Sequence, residues 1–178
     1  MKKSVLILTY SGYQDQELVY PYYRVLGAGM NAVIVADKFD SQNRVYGILG
    51  VNMPCNVNYD NFEQDSKGYL DGFSLLILPG GVKALEKLRQ REDVLSFISK
   101  WDKTDKPIAS TCHGAQLLIS SKIVKGRTIS GYYSLKDDIT NAGAIYSRDP
   151  VVIDKNIISS PHYDYMGEWM ESALSKIS

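Results

Sequence analysis

A mostly parallel, doubly wound α/β sandwich of the flavodoxin-like kind is the fold this sequence predicts, and three observations predict it. Short, nearly unbroken apolar runs recur along the chain, as strands buried on both faces of a parallel sheet require. Between them apolar residues return at helical spacing, so strand and helix alternate. Glycine and proline punctuate the ends of the runs, and the carboxyl edge of such a sheet is where ligands bind. At 178 residues the chain suits one domain, 1–178, long enough to bury a full core.

The first strand is Ser4 to Thr9, nearly all apolar. Ser11 and Gly12 break it, and Gln14 to Leu26 places Leu18, Tyr22, Val25 and Leu26 on one helical face. Pro21 lies inside that helix, where a lost hydrogen bond predicts a bend. Gly27 and Gly29 end the helix, and Asn31 to Ala36 is a second apolar strand, so the chain opens β-α-β with a right-handed crossover. Residues 37–70 change character, with Gly47, Gly50, Pro54 and several Asn and Asp, and read as a hairpin or pair of short strands with a loop. Phe73 to Leu78 is the next strand and ends in Pro79, Gly80 and Gly81. One helical stretch follows, with an inward face from Leu85 through Leu88, Val94, Phe97 and Ile98 to Trp101. Pro107 to Ser110 is a buried strand, and from Gly114 onward a helix begins. A short strand near Arg127 to Ser130 and a helix around Leu135 to Asn141 come next. Val151 to Ile153 and Ile157 to Ser159 read as edge strands joined at Asp154–Asn156, and a last helix spans about Gly167 to Ile177.

Charge excludes some partners. Twenty lysines and arginines balance twenty aspartates and glutamates, so no strong field steers the chain to nucleic acid or an anionic membrane. The apolar run Val5 to Leu8 is too short for a signal peptide, and no stretch approaches the roughly eighteen apolar residues a membrane span needs. Of the two cysteines, Cys55 and Cys112, neither has zinc or redox-pair spacing. A reducing cytoplasm is the expected location. Metal, cofactor and nucleotide binding have no motif, and a small carbonyl or amide compound is the expected substrate.

The chemistry centres on the corner at Thr111, Cys112 and His113. A side chain at a strand-to-helix corner is pushed out above the sheet edge, as in the nucleophile elbow of hydrolases. The positive end of the following helix favours thiolate, and Gly114 lets helix and strand pack closely. Cys112 is therefore a candidate nucleophile, against the alternative of a small buried hydrophobe. In Pro79-Gly80-Gly81, glycines after a parallel strand let backbone approach a ligand or simply satisfy a turn. Glu17 reads by pattern as a surface carboxylate partnering the helix dipole. If it faces Cys112 instead, desolvation raises its pKa and its acid form can donate to sulfur. With two histidines in the chain, imidazole catalysis falls to His113 or His162; His113 reads equally as a cap, and His162 as pocket wall. Cys55 reads as a packing or loop thiol.

The elbow ASTCHGAQLL resembles the signature of the ThiJ/PfpI superfamily, as do TYSGYQDQELVYPYYRVLGAG, LLILPGG, LKDDITNAGA and PVVIDKNIISS. The blocks run almost end to end in order and are most similar to the PfpI-like intracellular protease/amidase branch. The resemblance accounts for Pro21, within YPYYR. It implies a class I glutamine amidotransferase-like sandwich, a nucleophile at Cys112, a histidine at His113, and a glutamate at Glu17 contacting the sulfur. It also implies an oxyanion hole from the amides of Gly81 and His113, and a homodimer or higher homo-oligomer. Glu86 is the candidate for a glutamate that reaches a neighbouring subunit's site, although its spacing from Gly81 is one residue longer than the pattern. Pro161, followed by His162 and Tyr163, stands where many PfpI-like chains carry an arginine.

Three functions follow as expectations. The first is a cofactor-independent cysteine enzyme of glyoxalase or deglycase type acting on 2-oxoaldehydes such as methylglyoxal. The second is a cysteine peptidase or amidase assembled from Cys112, His113 and Glu86 in an oligomer. The third is an oxidation-sensing stress protein or chaperone built on an exposed, low-pKa thiol.

Overall fold

Four short strands, two of them almost wholly apolar and two apolar at their starts, build the centre of the sheet, because only stacking between two layers of helices removes both faces of such strands from water. The computed structural model describes residues 2–37 and 41–178. β1 (Ser4–Leu8), β6 (Leu75–Leu78), β7 (Ile108–Thr111) and β11 (Ile157–Ser160) are buried along almost their whole length. β2 (Asn31–Ala36) and β5 (Val57–Asn58) extend the sheet on one side, and β10 (Val152–Asp154) closes the other. The seven strands run in the order β10-β11-β7-β6-β1-β2-β5. All pairs are parallel except β10 with β11. Val5 lies between Ala32 and Leu75, and Ala109 between Ile77 and Ile158. Each fully buried Leu or Ile here contributes about 1.5–3 kcal/mol.

The chain steps from β1 to β2 in one direction and from β6 to β7 in the other. Right-handed crossovers therefore place α1 (Asp15–Gly27) on one face and α4 (Val82–Leu88) with α5 (Glu92–Asp102) on the opposite one. α8 (Met166–Ser175) packs on α1, where Arg24 pairs with Glu171. α6 (Ala115–Ser120) packs on α4 and α5, with α3 (Ser66–Gly72) and α7 (Lys136–Asn141) alongside. The direction reverses between β1 and β6, which opens a crevice at their carboxyl ends.

Several expectations are corrected. The single helix over 85–101 is two: turns from Arg89, Gln90 and Arg91 back to Leu85, Lys87 and Leu88 close α4, and Arg91 is extended. Its guanidinium pairs with Asp93 and lies 4.7 Å over the Tyr59 ring, contacts that fix the break. Of the two strands expected at an edge, β10 is one, but β11 is interior, parallel to β7 and buried at every position. The strand near 127–130 is β8 (Thr128–Ser130), which leaves the main sheet to pair with the unforeseen β9 (Ile145–Ser147). In 37–70 the expected hairpin is β3 (Arg44–Tyr46) with β4 (Asn52–Pro54), while β5, α2 (Tyr59–Phe62) and α3 were not foreseen; residues 38–40 lie outside the described residues. α1 runs unbroken through buried Pro21. Among the described residues, no helix is long and apolar enough to cross a membrane.

Candidate active site

β7 ends at Thr111 and the chain turns at once into a short 3-10 segment, Cys112–Gly114, before α6. The turn forces Cys112 to φ 54°, a left-handed conformation that costs an L-residue roughly 1–3 kcal/mol. The Cys112 carbonyl accepts from the Tyr132 amide at 3.1 Å, which holds the corner. Gly114 is required by close approach: a Cβ there would lie 2.3 Å from the Leu78 carbonyl oxygen.

Three strand ends meet at this corner. The Gly80 amide donates to Glu17 Oε2 at 2.7 Å. A Cβ on Gly80 would sit 2.1 Å from that oxygen and 2.9 Å from Cys112 Cβ, so only glycine lets the carboxyl and the thiol flank it. Gly81, at φ 108°, starts α4 against the backbone of Tyr13 and Gln14.

Glu17 is not the surface carboxylate that its local pattern suggested; it is fully buried. Burial lifts its carboxyl from an ordinary 4.5 to about 7, opposed by hydrogen bonding to Cys112 and the Gly80 amide. Oε1 makes no hydrogen bond of normal geometry, which leaves that oxygen as the one able to carry a proton. Cys112 is 7% exposed, and its thiol is pushed far up, first by burial and then by the negative charge on Glu17. Burial thus works against the exposed thiolate that the sequence, with a helix starting just after the corner, leads one to expect. The charge penalty disappears when Glu17 takes up a proton, and the carboxylic acid then donates toward sulfur. The His113 amide also favours thiolate.

His113 does not point away from the nucleophile. Its Nδ1 lies 3.3 Å from Cys112 Sγ, and burial lowers its pKa, so a neutral ring faces the sulfur. In one tautomer it accepts the thiol proton; in the other it donates to thiolate. The ring stacks on Tyr132, centroids 4.7 Å apart. His162 lines the same cleft, its Nδ1 3.1 Å from Asp164 Oδ2 and its ring 3.9 Å from that of Tyr163.

Glu17, Gly81, Cys112, His113 and His162 all line a cleft of about 480 Å³. Glu86 does not: it is exposed on α4, where its carbonyl accepts from Gln90. Tyr163, from the loop that the resemblance singled out, lines the cleft as well, and sequence reasoning missed Gln14, Ile48, Val82 and Tyr132, which complete the lining. Tyr132 had a signal, since it follows a short strand ending near the same edge. Ile48 had none; it is brought in by Asp15, whose buried carboxylate accepts from the Leu49 and Val51 amides at 2.9 Å each. Among the described residues, no group of three His, Cys, Asp or Glu side chains could hold a metal ion.

A profile of the DJ-1/PfpI family matches residues 3–176. The chain belongs to the DJ-1/PfpI family. It is 34% identical over 166 residues to deglycase TK1284 of Thermococcus kodakarensis, covering 93% of this chain and 94% of that one. It is 32% identical to deglycase PfpI of Pyrococcus furiosus, with the same coverage. Schizosaccharomyces pombe DJ-1 superposes with a TM-score of 0.89 over 98% of this chain and 92% of its own, at 20% identity, a likeness of fold. The flavodoxin-like sandwich is thus that of the DJ-1/PfpI proteins. Cys55, outside the cleft lining, is a half-buried packing thiol that donates to the Ala36 and Val57 carbonyls.

Proposed function

We propose that this DJ-1/PfpI chain is a cofactor-independent cysteine enzyme of the deglycase or glyoxalase type, acting on 2-oxoaldehydes such as methylglyoxal or their adducts. The observation that carries the reading is a fully buried carboxyl, Glu17, that titrates at about 7 beside the Cys112 thiol. An acid-base group poised near neutrality is what proton transfer between adjacent carbons needs. The names of the curated relatives support the same class.

In this reading the Cys112 thiol passes its proton to His113 as the sulfur attacks the aldehyde carbon, and His113 hands that proton to the aldehyde oxygen, which gives a hemithioacetal. Glu17, as carboxylate, removes the proton on that carbon and delivers it to the neighbouring carbonyl carbon while the hydroxyl proton passes to the neighbouring oxygen, which leaves a 2-hydroxy thioester. The amides of Gly81 and His113 hold the oxyanion, the His113 amide turning from sulfur once the sulfur is bonded to carbon. Water, with His113 as base, then releases the 2-hydroxy acid and restores the thiol. The sum is one 2-oxoaldehyde plus one water.

Lactate formation from methylglyoxal, without glutathione or added cofactor, tests this. Cys112→Ala is expected to fall to background, and Glu17→Gln by at least about 100-fold; a Cys112→Ala rate equal to wild type rejects the nucleophile.

The peptidase reading is favoured by one contact, His113 Nδ1 at 3.3 Å from the sulfur. It needs Glu86 delivered to a second copy's cleft, so it is the reading in which a homo-oligomer is essential. Peptidase activity that survives in a monomer, or in Glu86→Gln, argues against it. The oxidation-sensor reading needs an accessible, low-pKa thiol, and the burial of Cys112 works against it.

A further inference from the structure

The cleft is larger than a three-carbon aldehyde requires. At about 480 Å³ it falls within the range of roughly 300–1,000 Å³ that takes drug-sized ligands. One wall is a run of rings. His113 stacks on Tyr132 at 27°, Tyr132 faces His162 at 27° with centroids 6.2 Å apart, and Tyr163 closes on His162 at 3.9 Å. Ile48 and Val82 also line the cleft, and these residues are 48% and 43% exposed. Such large apolar groups left facing water beside a ring wall present contact area to a flat ligand.

Among the described residues, the lining contains no lysine or arginine. Arg148 lies over Tyr133, 5.9 Å from its centroid, and is not part of the lining. Asp164, close to His162, counters any charge that ring gains. An anionic substrate would therefore enter beside buried Glu17 without a cation to receive it, which is unfavourable.

We infer that the ring wall of Tyr132, His162 and Tyr163 makes this cleft select substrates whose group next to the reacting carbonyl is flat, apolar and uncharged, such as an aryl 2-oxoaldehyde, over small aliphatic or carboxylate-bearing ones. The turnover part of this inference rests on the function proposed above; the binding part does not. Because these rings stack on one another, their edges rather than their faces are left to a ligand; edge-to-face contact with an aryl group contributes beyond simple area burial, and the difference between an aryl and a methyl substituent is expected to reach about 10-fold.

The experiment has two arms. In the first, calorimetry on Cys112→Ala, which cannot form a hemithioacetal, compares benzamide, acetamide and benzoate. Benzamide is expected to bind at least about 10-fold more tightly than either of the others. The preference should collapse in the double variants that add Tyr132→Ala or Tyr163→Ala, and persist with Tyr132→Phe, which keeps the ring and controls for folding. Equal binding of benzamide and acetamide, or a preference for benzoate, overturns the inference. In the second arm, kcat/KM for phenylglyoxal should exceed that for methylglyoxal by a similar factor in the wild type. Equal kcat/KM values overturn the selectivity while leaving the catalytic reading intact. Turnover of neither, with benzamide still bound selectively, rejects the catalytic reading and leaves the wall's selectivity standing.

Discussion

At Glu17 the two carboxyl oxygens are treated differently: Oε2 accepts from the Gly80 amide, while Oε1 is buried without a normal partner. The folded chain holds the Glu17 proton up to about pH 7, whereas an unfolded carboxyl releases it near 4.5. Between those values the folded state binds more protons, so stability falls as pH rises through the window and the loss is complete above it. The span corresponds to roughly 3 kcal/mol. Glu17→Gln has no charge to desolvate, so urea titrations should find it more stable than the wild type by up to roughly 3 kcal/mol at pH 8 and equal to it at pH 4. Parallel pH profiles for the two proteins would contradict a proton held at this site. The local run GYQDQEL reads as a solvated helix start, and only the closure of Gly80 over it reverses that. Cys112 was legible because its corner is local: an apolar run, a turn and a helix within a few residues. Its depth was not, since no local pattern reports what the first helix and the Gly80 turn place above it.

Elements carry the next level of specificity. The segment 47–51 is held to the start of α1 by Asp15, by the Ile48 amide donating to the Tyr13 carbonyl, and by the Tyr13 hydroxyl on the Val51 carbonyl. A Cβ on Gly47 would meet Asp15 Oδ1 at 2.4 Å, so the segment lies directly on the carboxylate. Asp15 touches no reacting atom and acts by positioning Ile48 in the cleft. Asp15→Ala strands two amides and is expected to cost about 1–3 kcal/mol. It should raise KM about 5-fold or more while kcat changes less than about 2-fold, the pattern of lost uniform binding; Asp15→Asn, which keeps one acceptor, should recover part of the KM. A fall in kcat with KM unchanged would place Asp15 in the chemistry instead. This segment was unreadable in sequence because its shape is set by a carboxylate more than thirty positions away.

Across the whole molecule, a buried ion-pair clamp sits at the rim of the sheet opposite the cleft. At the amino-terminal rim the Arg127 guanidinium grips Asp102 through two hydrogen bonds of 2.9 and 3.0 Å. Asn156 joins it, accepting from Arg127 and donating to Asp102 and to the Lys106 carbonyl. The end of α5, the entry to β8 and the turn before β11 are thereby tied together. Asp102→Ala leaves a poorly solvated arginine unpaired and is expected to lower unfolding free energy by about 3 kcal/mol with kcat unchanged. Chemical denaturation alongside a rate assay checks it, and a loss of less than about 0.5 kcal/mol would mean that water replaces the carboxylate. The core strands were readable because runs such as Leu75 to Leu78 admit no surface face. β5 and β9, of two and three residues, carry too few positions to display a period, and β11 reads as an edge until its partners are known.

Because the Arg127 clamp and the aromatic cleft share no residue, the cleft can be altered without loosening the clamp. A combinatorial library confined to Ile48, Tyr132, His162 and Tyr163 would retune what is accepted while leaving that ion pair in place, which makes the far rim an anchor for directed evolution.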